Sequence, residues 1–135
     1  MELLVYKASA GSGKTFTLAV EYIKLLILNP RAYRQILAVT ITNKATAEMK
    51  ERILTQLYGI WKEDPASDAY LKRIKEDLAS SPLSDKELRR RAGMALQYML
   101  HDYSRFRVET SDSFFQSVMR ILARELELSP NLNIE

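Results

Sequence analysis

The amino-acid sequence predicts an α/β fold, a partial parallel sheet flanked by helices with an all-helical insertion at about residues 62–105. Three observations predict it. A short apolar run, Leu3-Leu4-Val5-Tyr6, leads through a Gly-rich turn into an apolar helical pattern. A second run, Ile36-Leu37-Ala38-Val39-Thr40-Ile41, is β-branched and almost wholly apolar, as strands buried on both faces of a parallel sheet are. Elsewhere apolar residues recur at helical rather than strand spacing.

The first turn carries the chemistry. Ala8-Ser9-Ala10-Gly11-Ser12-Gly13-Lys14-Thr15 fits the phosphate-binding P-loop pattern GxxxxGK[ST], except that Ala8 stands where the pattern has its first Gly. Gly11 and Gly13 are expected to take positive φ, turning successive backbone N–H groups inward as a nest for an anion. A helix opening at Lys14 adds free N–H groups and its positive dipole end. Lys14 is then placed for the β- and γ-phosphates and Thr15 for Mg²⁺. Gly-Ser-Gly is also common linker composition, and a plain strand-turn-helix connection is the bland alternative. The apolar flanks on both sides are what no linker has.

From residue 16 to residue 28 nearly every position is apolar, so this helix should be buried on most sides until Asn29-Pro30 stops it. With the strands on either side it makes a βαβ unit, whose crossover is expected to be right-handed. Thr42 or Asn43 can cap the next helix, in which Ala45, Met49, Ile53, Leu57 and Trp61 recur every fourth residue as one buried stripe. Trp61 is expected to anchor helix to helix rather than serve as a ligand platform. A loop containing Asp64-Pro65 precedes a short amphipathic helix marked by Tyr70, Leu71, Ile74 and Leu78. Ser84 with Glu87 reads as a capping box opening a further helix whose apolar residues are Leu88, Ala92, Ala95, Met99 and Tyr103. Its basic cluster Lys86, Arg89, Arg90 and Arg91 has no interleaved aromatics and is expected to be a solvated face; His101 and Asp102 at its end are expected to be structural. Residues 106–110 alternate as a short strand. Ser111-Asp112-Ser113 then supplies caps for a last helix with Phe114, Phe115, Val118, Ile121, Leu122 and Leu126 facing inward.

At 135 residues and 47% hydrophobic content the chain has one domain's worth of core. A formal net charge of +3 permits a nucleic-acid partner without arguing for one. There is no cysteine and a single histidine, which excludes a disulfide framework and a thiolate metal site. No basic leader followed by an apolar core, and no long apolar span, is present, so the simplest expectation is a cytoplasmic protein with no membrane partner.

Three separated blocks together resemble the UvrD/Rep-type superfamily 1 DNA helicases. Ala8 through Thr15 resembles motif I, Thr40-Ile41-Thr42-Asn43-Lys44-Ala45-Thr46-Ala47-Glu48-Met49 resembles motif Ia, and Thr110-Ser111-Asp112-Ser113-Phe114-Phe115 resembles motif Ic. Motif Ia is the most specific of the three. The string from Ala8 to Leu18 and the absence of a leading Gln-motif segment look closest to the RecB/AddA branch, the helicase-nucleases of DNA repair. The resemblance implies a P-loop NTPase (RecA-like) motor domain using ATP and Mg²⁺. By it, Ala10, Gly11, Ser12, Gly13, Lys14, Thr15 and Phe16 would bind the nucleotide, with Lys14 and Thr15 catalytic and Thr15 ligating the metal. Thr42, Asn43, Lys44, Ser113 and Phe114 would lie along single-stranded DNA. Ile41 stands where the family usually has Phe, which removes a candidate stacking ring and puts a base contact there in doubt, and Asp112 stands where many members have His.

An NTPase of this kind needs an apolar strand ending in Asp-Glu, and none is present: Glu63-Asp64 precedes a proline and Glu76-Asp77 lies inside an amphipathic pattern. The expectation is therefore the N-terminal piece of a longer helicase, completed by a second motor domain and, in the RecB/AddA branch, by a partner subunit of the helicase-nuclease. The piece by itself would bind nucleotide weakly at best and drive no unwinding. The alternatives are another P-loop enzyme such as a small kinase, which would need its own base and lid, and a non-catalytic interaction module.

Overall fold

The computed structural model describes residues 2–5, 12–80 and 82–128. Three strands, β1 (Glu2–Val5), β2 (Ile36–Thr40) and β3 (Arg107–Thr110), form a parallel sheet in the order β1-β2-β3. Leu3 pairs with Leu37 and Ala38 with Val108 in its register. Five α-helices accompany them among the described residues: α1 (Ser12–Leu28), α2 (Asn43–Trp61), α3 (Asp68–Asp77), α4 (Asp85–His101) and α5 (Ser111–Leu128). The α/β class is as expected from the sequence, and α3 and α4 fall between the second and third strands.

All five residues of β2 are buried, so the central strand is covered on both faces. Ile36 and Ala38 join Val108 and Phe106 in the main core with the helices, whereas Leu37 and Val39 are buried outside it, on the other face that strand alternation gives them. α1 and α2 both touch the sheet, and α4 packs across both of them. That position between neighbours explains why α1 is apolar nearly all round: Leu18, Ala19, Val20, Tyr22, Ile23, Leu26 and Ile27 are all buried. α1 ends at Leu28, one residue before the Asn29-Pro30 stop.

The α2 stripe behaves as its spacing predicts. Met49, Ile53 and Leu57 are buried and Trp61 packs at the seam with α4. A Cβ on Gly93 would come within 2.6 Å of three Trp61 ring atoms, so α4 approaches the indole as closely as it does only because residue 93 has no side chain. α2 stops in a Schellman arrangement, the Asp64 N–H donating to the Gly59 carbonyl at 2.8 Å, with Glu63 at φ 60° in the position where glycine is usual.

Four expectations need correction. α1 opens at Ser12 rather than Lys14, so Gly13 sits in a helical first turn and does not take positive φ. The Ser84 hydroxyl does accept the Glu87 N–H at 3.1 Å, but the Glu87 carboxylate turns to Arg90 and Arg91 instead of back to Ser84. Two guanidinium groups one turn away outcompete a single neutral amide, and the capping box is left half formed. Tyr103 falls beyond α4, in a short 3₁₀ turn, and is exposed. The last correction is the largest. α5 has the expected apolar period, yet Phe115 is 63% exposed, Ile121 62% and Leu122 49%. β3 is an edge strand of this sheet, and beyond its first turns α5 has no described element against which to bury a stripe.

The contrast between α2 and α5 gives a stability prediction. Ile53→Ala, which empties a site with no exposure, should cost about 2–5 kcal/mol in urea denaturation, whereas Leu122→Ala should stay within about 0.5 kcal/mol.

Candidate functional site

In a parallel sheet every strand ends at the same edge, and here each strand is followed by a helix that starts there. The candidate residues fall on these starts: Ser12, Gly13, Lys14, Thr15 and Phe16 on α1, Thr42, Asn43 and Lys44 at the opening of α2, and Ser113 and Phe114 on α5. Ala8, Ser9, Ala10 and Gly11 lie outside the described residues.

The three helix starts differ in charge. α1 and α2 have no acidic residue in the first turn and carry Lys14 and Lys44 there, both exposed. Their positive dipole ends are thus reinforced rather than compensated. α5 has Asp112 in its first turn, which offsets the same field. A phosphate is favoured at the first two starts and opposed at the third. Around Gly13 there is room: a Cβ built there meets nothing within 4 Å. Thr15, the residue expected to hold a metal, is partly buried one residue on from the exposed Lys14. These features fit a phosphate-bearing ligand with its cation.

Phe16 sits differently from a loop residue. Its ring packs on Tyr70 of α3 with centroids 4.6 Å apart, at the margin of the core. The Thr42 hydroxyl caps α2 by accepting the Ala45 N–H at 3.0 Å, and its carbonyl accepts the Thr46 hydroxyl at 3.2 Å. Asn43 and Lys44 stand exposed beside it. Thr110, not the serines after it, caps α5 by accepting the Ser113 N–H at 3.1 Å. Ser113 is exposed and Phe114 half-buried, with Phe115 the more exposed ring of the two.

One network spans this edge and was missed in the sequence. Thr40, 1% exposed, lies 2.6 Å hydroxyl to hydroxyl from Thr46, and within reach of the Thr42 carbonyl at 3.3 Å and the Glu109 carbonyl at 3.4 Å. Each hydroxyl has one proton to give, so one donates to the other and the second donates to a carbonyl. β2, α2 and β3 are joined at one point. Thr in motif Ia-like company is the signal that could have found it, since β2 is otherwise apolar.

The basic cluster of α4 also has defined work. Arg91 Nη1 donates to the Ile27 carbonyl at 3.1 Å and Arg89 Nη1 to the Ile60 carbonyl at 2.8 Å, satisfying last-turn acceptors of α1 and α2. Two of the four cations are therefore helix caps rather than a solvated face. Asp102 accepts from the Tyr33 hydroxyl at 2.8 Å and from Arg34 at 3.2 Å, a structural role as expected. The acidic pairs are accounted for too. Asp64 caps a 3₁₀ turn through the Ala66 N–H, and Asp77 pairs with Lys24 and Arg73.

The hydrogen bonds from Arg90, then Arg91, hold the Glu87 carboxyl down to about 2. A carboxyl lowered in the folded chain contributes stability above its ordinary value of 4.5 and loses that contribution as pH falls toward 2. The thermal midpoint of the native chain should therefore fall more steeply between pH 5 and 2 than that of Glu87→Gln, as circular dichroism melts would show (the window is about the interval between the two pKa values).

Comparison with known proteins returned one family profile, described as the UvrD/REP helicase N-terminal domain, matching residues 2–135. Among curated relatives, an ATP-dependent helicase/nuclease subunit of Clostridium novyi is 33% identical over 133 residues, covering 97% of this chain and 9% of that protein. The protein of the same name from Streptococcus sanguinis is 34% identical over 132 residues, again 97% of this chain and 9% of the relative. The RecB subunit of the RecBCD enzyme of Escherichia coli is 40% identical over 62 residues, 40% of this chain and 5% of that one. The chain spans less than a tenth of the length of these relatives. No solved structure matches it.

Proposed function

This chain belongs to the UvrD/REP helicase N-terminal domain family, and from that premise we propose that it is the ATP-binding part of the first RecA-like motor domain of an ATP-dependent DNA helicase. The observation that carries the proposal is the pairing of two acid-free, lysine-bearing helix starts at one edge of a parallel sheet. The first follows the P-loop-like run and suits a nucleotide triphosphate. The second suits a phosphodiester backbone.

In this assignment the α1 N–H groups receive the phosphates, Lys14 reaches the β- and γ-phosphates and Thr15 holds Mg²⁺, with Ala10, Gly11, Ser12, Gly13 and Phe16 around them. The metal supplies charge neutralisation on the phosphate oxygens. Asn43 and Lys44 grip single-stranded DNA, and Thr42 contributes mainly by capping the helix that presents them. Ser113 and Phe114 border the same path, with the Asp112 carboxylate keeping phosphates off the α5 start. The P-loop form of the turn belongs to this proposal, as does the helicase-nuclease context: a longer chain with a second motor domain, working with a partner subunit. No helix among the described residues is long and apolar enough to cross a membrane.

Titration of the 135-residue protein with a fluorescent ATP analogue and Mg²⁺ tests the nucleotide half. Lys14→Ala should weaken binding by about tenfold or more, the scale of a lost charge-assisted phosphate contact. Equal affinity of the native and variant proteins, or no binding by a chain that circular dichroism shows folded, would overturn it and leave the interaction-module alternative.

A further inference from the structure

The helical insertion touches the opening of α1 through one aromatic contact. Tyr70 of α3 is 6% exposed, its ring 4.6 Å from that of Phe16 with the planes inclined 53°. Its hydroxyl accepts a hydrogen bond from Arg52 Nη1 of α2 at 2.9 Å. Phe16 follows Lys14 and Thr15 directly.

A helix start has little to hold it, because its first four N–H groups have no partner within the helix. α1 opens with a glycine in the first turn, which adds backbone freedom. Continuous burial of α1 begins only at Leu18, so the turn carrying Lys14 and Thr15 precedes the well-packed part of the helix. Phe16 is the large apolar side chain of that turn, and Tyr70 is the surface against which it rests. Two turns further along α1, Lys24 pairs with Asp77 of α3 at 3.5 Å. α3 therefore meets α1 at two places, one of them next to the candidate phosphate site.

We propose that Tyr70 is a positioning residue: its ring, buttressed by Arg52, fixes the rotation of the first turn of α1 and so the direction in which Lys14 and Thr15 are presented. This assigns a task to the insertion, and its functional consequence rests on the nucleotide assignment above. Through Arg52 the same ring is tied to α2, the helix whose start carries Asn43 and Lys44.

The test reads amide hydrogen exchange along α1 and, separately, affinity for the fluorescent ATP analogue. Tyr70→Ala should speed exchange at residues 16–19, the first amides bonded within α1, by about tenfold relative to Leu96→Ala, a core deletion in α4 brought to matched global stability with denaturant. Tyr70→Phe, which keeps the ring, should stay within about threefold of the native chain at those amides. Nucleotide affinity should follow the same order, since a small misplacement at a binding group has a large effect. If Tyr70→Ala does not fold, Phe16→Leu reports the contact from its other side through exchange alone, since Phe16 itself belongs to the proposed nucleotide site. Exchange at the α1 start that matches the Leu96→Ala profile, or a Tyr70→Phe variant as fast as Tyr70→Ala, overturns the inference. A native chain that binds no nucleotide refutes the functional assignment alone, because the exchange result still decides what holds the turn.

Discussion

The carboxyl edge of this sheet is held by a hydroxyl buried where strands and helix meet. Thr40 ends β2, bonds to Thr46 in the first turn of α2 and reaches the Glu109 carbonyl of β3. A buried hydroxyl without a partner would destabilise the chain by about 1–3 kcal/mol, so the residue enforces the arrangement that satisfies it. The start of α2 is consequently fixed relative to both strands. Asn43 and Lys44 stand in solvent at this fixed corner.

Behind that edge the helical insertion serves as scaffold. Its arginines cap the far ends of α1 and α2, Arg91 on Ile27 and Leu28 and Arg89 on Ile60, while Gly93 admits the Trp61 ring. α3 adds Tyr70 against Phe16 at the near end of α1. Both helices that carry candidate phosphate grips are thereby gripped at their other ends or flanks by residues from 62–105. Positive charge that would suggest a nucleic-acid surface is largely consumed in this work, Arg90 included, which pairs with Glu87.

Much of this is legible in the sequence. The Thr42 cap, the α2 stripe, the proline stop of α1 and the doubly buried second strand each follow from local rules that tertiary contacts did not override. Other features depend on what lies across from a residue, which periodicity does not report. The α5 stripe has the spacing of a core helix, but burial needs an opposing surface, and none of the described elements provides one. Glu87 obeyed the capping-box pattern until two arginines competed for its carboxylate. At the site, residue types and order are readable and Thr40 at the end of an apolar strand is the one sign of its network, whereas the reach to Glu109 and the Phe16–Tyr70 contact join segments 69 and 54 residues apart in sequence (Tyr70 follows Phe16 by about that many) and are not legible.

Thr40→Val tests the central constraint most directly, since it replaces the hydroxyl with a methyl group of similar volume. With Thr40 as the joint of β2, α2 and β3, amide exchange should quicken at Ala45 and Thr46 and at residues 109–110 together, and stability should fall by about 1–3 kcal/mol. Unchanged exchange in both segments, or a gain in stability, would contradict it.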